Sequence, residues 1–413
     1  MAPPRTSATP VRRGRRAALP ARWRARYRLT PWWVKVIGIW LLSRVVTTTL
    51  VLVLASVQGE NAWTAAKPGY AAFATMWDGL WYNIVAVGGY PSVLPVTAEG
   101  QVGENAWAFM PVYPVVVRLL MMLTGAPWAE VAVFVSAVCS LCTALLFFRL
   151  MQRVQPQSTA LFAVVLFCVA PLSPLLQFAY AESLQLLLLT GALLLVLERR
   201  YLLLVPVIGV MALTRPTGLA FALFLALHVG YRWFTRAKDP FPVREAVTAL
   251  SVAVFSGLMG LAWPGIAWLV TGSVTAYTDT ELAWRSAYIG YQELVPFAAW
   301  FQSGVWWLGQ PLGIIAVLAV IGAFAAVMFT RPVRSLGVDL RLWVVSYALY
   351  LLAVFFPQSS TFRLLMPMFP LLGALALPSS ILYRIGVTIV LICGQWGWLL
   401  LCWGVDGADW TPP

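Results

Sequence analysis

The sequence predicts an all-α polytopic membrane protein, and two compositional observations and one pattern predict it. Of its 413 residues, 61% are hydrophobic and only 10% charged, against about a quarter charged in soluble domains. Mean hydropathy is +0.81. A water-soluble protein is excluded. The pattern is that apolar stretches run unbroken for about twenty residues, the length a membrane-crossing helix needs. An outer-membrane barrel would alternate apolar and polar positions instead.

Taken in order, residues 1–32 form a basic arm expected to be disordered and cytoplasmic. Net charge is +13 and the sequence pI near 9.9, values that ordinarily point to nucleic acid. The distribution argues otherwise. Nine arginines fall between Arg5 and Arg28, and most others lie in short loops between apolar runs, which is the positive-inside pattern of a multi-pass protein. Membrane lipids are the expected partner of the arm, and no nucleic acid is. Arginine outnumbers lysine 25 to 3, a bias that suggests a GC-rich genome such as an actinobacterium's.

The first apolar run, 34–57, is too long for a signal-peptide core and is expected to be retained. Residues 58–124 then form a first outer loop, nearly free of lysine and arginine, with interfacial helices at 81–87 and 107–124, where tryptophan, tyrosine and a snorkelling Arg118 are comfortable. A span at 130–148 returns to a basic loop at Arg149 and Arg153. Further basic loops at Arg199–Arg200, Arg232–Arg244, Arg331–Arg341 and Arg384 each require an even number of crossings between neighbours. Stretch 159–197 is broken at Pro171 and Pro174, stretch 202–229 at Arg215–Pro216, and stretch 342–383 at Pro357 and near Arg363. Proline removes an amide donor and its predecessor avoids helical geometry, so each break is a hairpin tip. Spans 246–270 and 312–329 flank a second outer loop, 271–310. The last span, 385–403, leads to an outer tail, 405–413, with Asp406 and Asp409. About eleven crossings result, making residues 33–404 one transmembrane domain. No strong internal repeat is visible, which weakens a transporter of inverted halves.

Segment 202–214 reaches only about 20 Å as a helix, less than a hydrocarbon core of about 30 Å. Its Arg215 tip is therefore expected inside the protein, beside an outward-opening cavity, because irregular backbone survives at that depth only against protein or water.

Ionisable groups at membrane depth are functional candidates by default. Asp78, Glu182, Arg215 and Arg363 come from four segments, and the topology puts all four on one side; Arg118, Glu281, Arg285 and Glu293 share that side. Asp78, in Trp77-Asp78-Gly79, reads either as a helix N-cap or as a general base. The single histidine, His228, falls at the cytoplasmic end of a helix, so a base on the outer face must be a carboxylate. Arg215 and Arg363 carry forks suited to phosphate; the alternatives are a buried pair with Glu182 for Arg215 and an outward-snorkelling side chain for Arg363. Glu182 could orient Arg215, bind sugar hydroxyls or cap its helix. The five cysteines all lie in apolar stretches and read as buried thiols. No metal site and no cofactor are expected, since two arginines can stabilise a leaving phosphate. A carboxylate base with phosphate-clamping arginines, facing away from the cytoplasm, implies transfer from a lipid-phosphate donor.

At these residues the chain resembles the PIG-V family, mannosyltransferases of the GT-C superfamily. The matching pieces are Trp77-Asp78-Gly79 with Trp81-Tyr82 and Gly89-Tyr90, Phe109-Met110-Pro111-Val112-Tyr113-Pro114 with Arg118, and Ser173-Pro174 with Tyr180-Ala181-Glu182-Ser183. Thr214-Arg215-Pro216-Thr217-Gly218 and Arg363 with Pro367-Met368-Phe369-Pro370 complete them, in family order over about residues 33–384. The resemblance implies a GT-C-like bundle in the cell membrane, a polyprenyl-phosphate-mannose donor, inversion at the sugar and Asp78 as catalytic residue on the extracytoplasmic face. Arg215 and Arg363 would bind the donor phosphate. Trp77, Tyr82, Tyr113, Tyr180, Glu182 and Arg118 are the further substrate-binding candidates. Ala181 and Gln185 stand where the family has serine and phenylalanine, and a long lumenal insertion is missing. A bacterial origin argues against the eukaryotic GPI acceptor, leaving an envelope glycolipid, glycan or protein. The alternatives are another polyprenyl-phosphate sugar (glucose, arabinose or galactofuranose) and a lipid-linked-sugar transporter.

Overall fold

The computed structural model describes residues 29–404 and 411–412. Most of the basic arm, and Asp406 and Asp409 of the tail, lie outside the described residues. The architecture is all-α as expected; among the described residues the β-structure is one isolated bridge, Val96 to Val102. The main helices are α1 Trp32–Val57, α2 Asp78–Gly88, α3 Val112–Thr124, α4 Trp128–Gln152, α5 Gln157–Val169, α6 Glu182–Leu197 and α7 Tyr201–Ala212. They continue as α8 Gly218–Thr235, α9 Val243–Thr271, α10 Ala276–Ala283, α11 Ala298–Leu308, α12 Leu312–Met328, α13 Gly337–Val354 and α14 Ile381–Trp403.

Six of these, α1, α4, α8, α9, α13 and α14, are long and apolar enough to cross a membrane, and α3, α5, α6, α7 and α12 are shorter apolar helices. The chain is a multi-pass membrane protein. The proline breaks fall where the sequence places them: a 3₁₀ turn at Ser173–Leu176 separates α5 from α6, and the Arg215–Pro216 turn separates α7 from α8.

Three expectations need correction. A crossing helix within 364–383 does not form. Pro357, Pro367, Pro370 and Pro378 each cost a donor, and the chain instead descends in short turns at Thr361–Leu364, Met366–Met368 and Leu371–Leu375. Side chains of α13 satisfy part of this irregular backbone, as membrane depth demands: Trp343 Nε1 donates to Pro367 O (2.8 Å) and Tyr347 Oη to Leu364 O (2.8 Å). Second, Arg384 is not in a loop but in the first turn of α14, its guanidinium over Phe162. Third, the helix expected at 81–87 begins three residues earlier, at Asp78.

Small residues set the closest helix contacts, as is usual where lipid offers no hydrophobic drive to associate. A Cβ on Gly218 would lie 2.6 Å from Gly260 Cα, so α8 and α9 cross backbone to backbone at the glycine that follows the Arg215 turn. Ser256 Oγ donates to Gly218 O (2.8 Å) and fixes the crossing.

The bundle thus has two ends. The breaks before α6, between α7 and α8, and after α13 meet at one. The C-termini of α4, α6 and α8 and the N-termini of α7 and α9 meet at the other, about 24 Å away along the sixteen residues of α6.

Candidate active site

Asp78, Glu182, Arg215 and Arg363, expected on one side, converge in one cluster. Arg363 Nη1 is ion-paired with Asp78 Oδ2. Arg215 places Nη1 3.9 Å from the same oxygen and Nη2 2.9 Å from Glu182 Oε1. Arg363 Nε stands 3.6 Å from Glu182 Oε1. Two carboxylates and two guanidiniums form a neutral quartet, with side chains no more than 15% exposed. Neutrality is what makes burial tolerable, since an isolated buried charge costs several kcal/mol.

Asp78 does not cap its helix: the N-cap position is Trp77, with no side-chain cap bond. Nor does Arg363 snorkel outward. The buried Arg215–Glu182 pair foreseen as an alternative is present, as one edge of the quartet. Arg363 Nη1 donates to Asp78 Oδ2, whereas neither oxygen of Glu182 nor Arg363 Nε has a hydrogen-bond partner, so the Glu182 edges hold by charge with directional bonding capacity left over. Burial pushes the Asp78 carboxyl above the ordinary carboxylate range, while Arg363 and then Arg215 pull it back.

The sequence builds this geometry by locking each turn. Trp77 has φ +61°, a region non-glycine residues rarely occupy and which costs of order 1–3 kcal/mol when forced. Its indole donates to Cys402 O (2.8 Å), which holds the strained residue. Gly79 lets the start of α2 approach the segment before α6: a Cβ there would lie 3.3 Å from Ala179 Cβ, and Ala179 N donates to Ala74 O (3.0 Å). Gln185, where the family resemblance would have phenylalanine, donates to Thr217 Oγ1 (2.8 Å) and ties α6 to the Arg215 turn.

The remaining candidates divide. Tyr82, fully buried, accepts a 3.4 Å bond from Arg215 Nη1 and packs edge-on against Tyr113. Tyr113 Oη donates to Ala132 O (3.0 Å). Tyr180 lies 5.6 Å beneath the Arg363 guanidinium, its hydroxyl 3.4 Å from Asp78 N. Trp77, Tyr82, Tyr113 and Tyr180 thus back the quartet. Arg118 is not brought to it; it is exposed on α3. Glu281, exposed on α10, lies within electrostatic reach of Arg215, Arg285 and Asp78.

One residue escaped the sequence reading. Arg44, buried in the middle of α1, donates to Cys168 O (2.8 Å), Ser173 O (2.8 Å) and Gln177 Oε1 (3.0 Å). It satisfies carbonyls around the Pro171–Pro174 break and so fixes the segment leading to Glu182. The signal was there: an arginine inside an apolar run is a flag by itself.

No protein-family model matches the chain, and no curated protein matches it. Solved structures similar to it include ArnT from Cupriavidus metallidurans bound to undecaprenyl phosphate, with TM-score 0.48, 14% identity and coverage of 85% of this chain and 62% of that one. Another is the Archaeoglobus fulgidus oligosaccharyltransferase in the apo form, with TM-score 0.47, 11% identity and coverage of 92% and 56%. AglB from the same organism, in complex with an inhibitory peptide and a dolichol-phosphate, gives 0.45, 13%, 88% and 55%. The chain spans less than two thirds of the length of each.

Proposed function

We propose that the chain is an inverting GT-C-type membrane glycosyltransferase, transferring mannose from a polyprenyl-phosphate carrier to an envelope acceptor on the extracytoplasmic face. The observation that carries this is the Asp78–Arg363–Arg215–Glu182 quartet, a carboxylate whose partners are two phosphate-competent forks. The PIG-V-like motifs support it, because all four quartet residues fall within them. With no substrate the arginines are neutralised by the carboxylates. An arriving phosphate diester competes for the same donors and loosens the Asp78–Arg363 pair. With less positive charge beside it, Asp78 becomes a stronger base toward an acceptor hydroxyl.

In the proposed step the acceptor oxygen attacks the anomeric carbon as Asp78 takes its proton. The carbon–oxygen bond to phosphate breaks, and the polyprenyl phosphate leaves with the electron pair, its charge held by Arg215 and Arg363. Glu182 holds Arg215 throughout. Mannose, rather than another sugar, rests on the motif resemblance alone.

The test is purified protein in proteoliposomes with polyprenyl-phosphate mannose and a bacterial lipid extract, products read by mass spectrometry. A new mannosyl product is expected. Carrier movement across the bilayer with no new glycosidic bond would establish the transporter instead, and product with only a different carrier-linked sugar would replace the donor.

A further inference from the structure

At the other end of the bundle several cations are held by carboxylates. Arg153 is paired with Glu198, Arg199 with Asp239 at 2.5 Å, and Arg232 with Glu245. Two differ. Arg244 has no ion-pair partner among the described residues, and Arg200 shares Glu198 with Arg153, its Nε 3.5 Å from Oε2 while Arg153 takes Oε1. Both are exposed, lie 44 positions apart in sequence, and line one cleft of about 500 Å³ between the starts of α7 and α9. The wall continues through Tyr201, Leu202 and Leu203 and includes Glu245, whose carboxylate is held by Arg232. Leu202 is 73% exposed, a poor side chain to offer to water beside two arginines.

The surroundings say what level of a bilayer this is. Tyr231, Trp233 and Phe234 are exposed at the end of α8, the aromatic signature of the headgroup boundary. From the cleft, exposed Val247, Leu250, Val254, Leu258 and Leu261 run up one face of α9, spaced for a single helical stripe. Between Val243 and Leu261 that stripe is about 27 Å long, close to the thickness of one hydrocarbon core.

We propose that this cleft binds the headgroup of an anionic phospholipid, its phosphate between Arg200 and Arg244 and its acyl chains along α9. The two exposed arginines supply the charge recognition, the exposed leucines the reason for a lipid over a soluble phosphate, and the two helix N-termini add favourable dipoles. The site is separate from the quartet and independent of the proposed transfer reaction.

The experiment is native mass spectrometry and thermal unfolding of the full chain in neutral detergent. The probes are phosphatidylglycerol, phosphatidylcholine and soluble glycerol phosphate. Phosphatidylglycerol is expected to be retained and to raise the melting temperature, and the other two are expected to do neither. Arg200→Gln/Arg244→Gln should weaken phosphatidylglycerol binding about 30-fold, the loss expected of two arginines at headgroup level. A charge-matched control, Arg236→Gln/Arg331→Gln, should retain it. Equal loss in both double variants would replace the cleft with a diffuse surface charge effect. A melting shift from glycerol phosphate alone would overturn the lipid assignment, as would equal retention of phosphatidylcholine. All four arginines are exposed, so folding is not at stake, and unchanged helical circular dichroism checks it.

Discussion

The two ends of the bundle both gather charge, but in opposite surroundings. In the quartet, Glu182 is 5% exposed and Arg215 15%; at the basic end, Arg153 is 54% exposed and Glu198 27%. The same residue types therefore carry different energetic weight. Exposed pairs contribute about 0–1 kcal/mol because water screens them and two long side chains must be held. Breaking a buried pair costs about 3–5 kcal/mol because the partner is left uncompensated. Charge at the quartet is buried and mutually compensated, and charge at the basic end is largely open to solvent.

The sharpest way to break this contrast is to remove its proposed base. Asp78→Asn should lower mannosyl transfer by roughly 10²–10⁴-fold, the usual contribution of a positioned base. Wild-type turnover in the purified variant would strip Asp78 of the role. Next is a matched comparison of arginines. Arg215→Ala should weaken donor binding and destabilise the fold by about 3–5 kcal/mol, since Glu182 loses its nearest cation. Arg153→Ala should change stability by no more than about 1 kcal/mol and leave donor affinity alone. Titration with carrier-linked sugar and denaturant unfolding measure both. Equal effects at the two ends would erase the distinction.

The pH profile sharpens the same point. A base works deprotonated, so activity is lost as pH falls through its pKa. Asp78 is raised by burial, which puts the acidic limb of kcat/KM above that of an ordinary carboxylate near about 4. Arg363→Gln removes the largest influence lowering it, so in the residual activity that limb should move to still higher pH. A limb that stays put or moves lower would show that another group is titrating. The smallest effect is structural. Gly79→Ala introduces a contact of 3.3 Å to Ala179 Cβ, with an expected cost of about 1–3 kcal/mol and a partial loss of turnover. Full stability in thermal unfolding would mean that the two segments can separate without consequence.

Much of the site was legible in the sequence, for a physical reason. In a membrane chain a charged side chain away from the cytoplasmic loops is expensive, so Asp78, Glu182, Arg215 and Arg363 stood out against an apolar background. Arg44 is equally a lone charge in an apolar run, but nothing local to it shows that it meets the carbonyls of Cys168 and Ser173. Tyr82, Tyr113 and Tyr180 were readable as candidates but not as buttresses. An aromatic hydroxyl looks the same in sequence whether it faces substrate or a carbonyl such as Ala132 O.

By itself the sequence determined the helical class, the proline breaks and the separation of basic loops from isolated charges. These follow from local rules of hydropathy, backbone geometry and the cost of charge in lipid. The tertiary structure alone decided which charges pair, and that Trp77 is strained to present Asp78. It also decided that segment 364–383 descends in broken turns and that Gln185 secures the Arg215 turn. Such outcomes depend on groups from separate elements, from Gln185 and Thr217, 32 positions apart, to Asp78 and Arg363, 285 apart, reaching the same few ångströms, a matter of packing that no local pattern encodes.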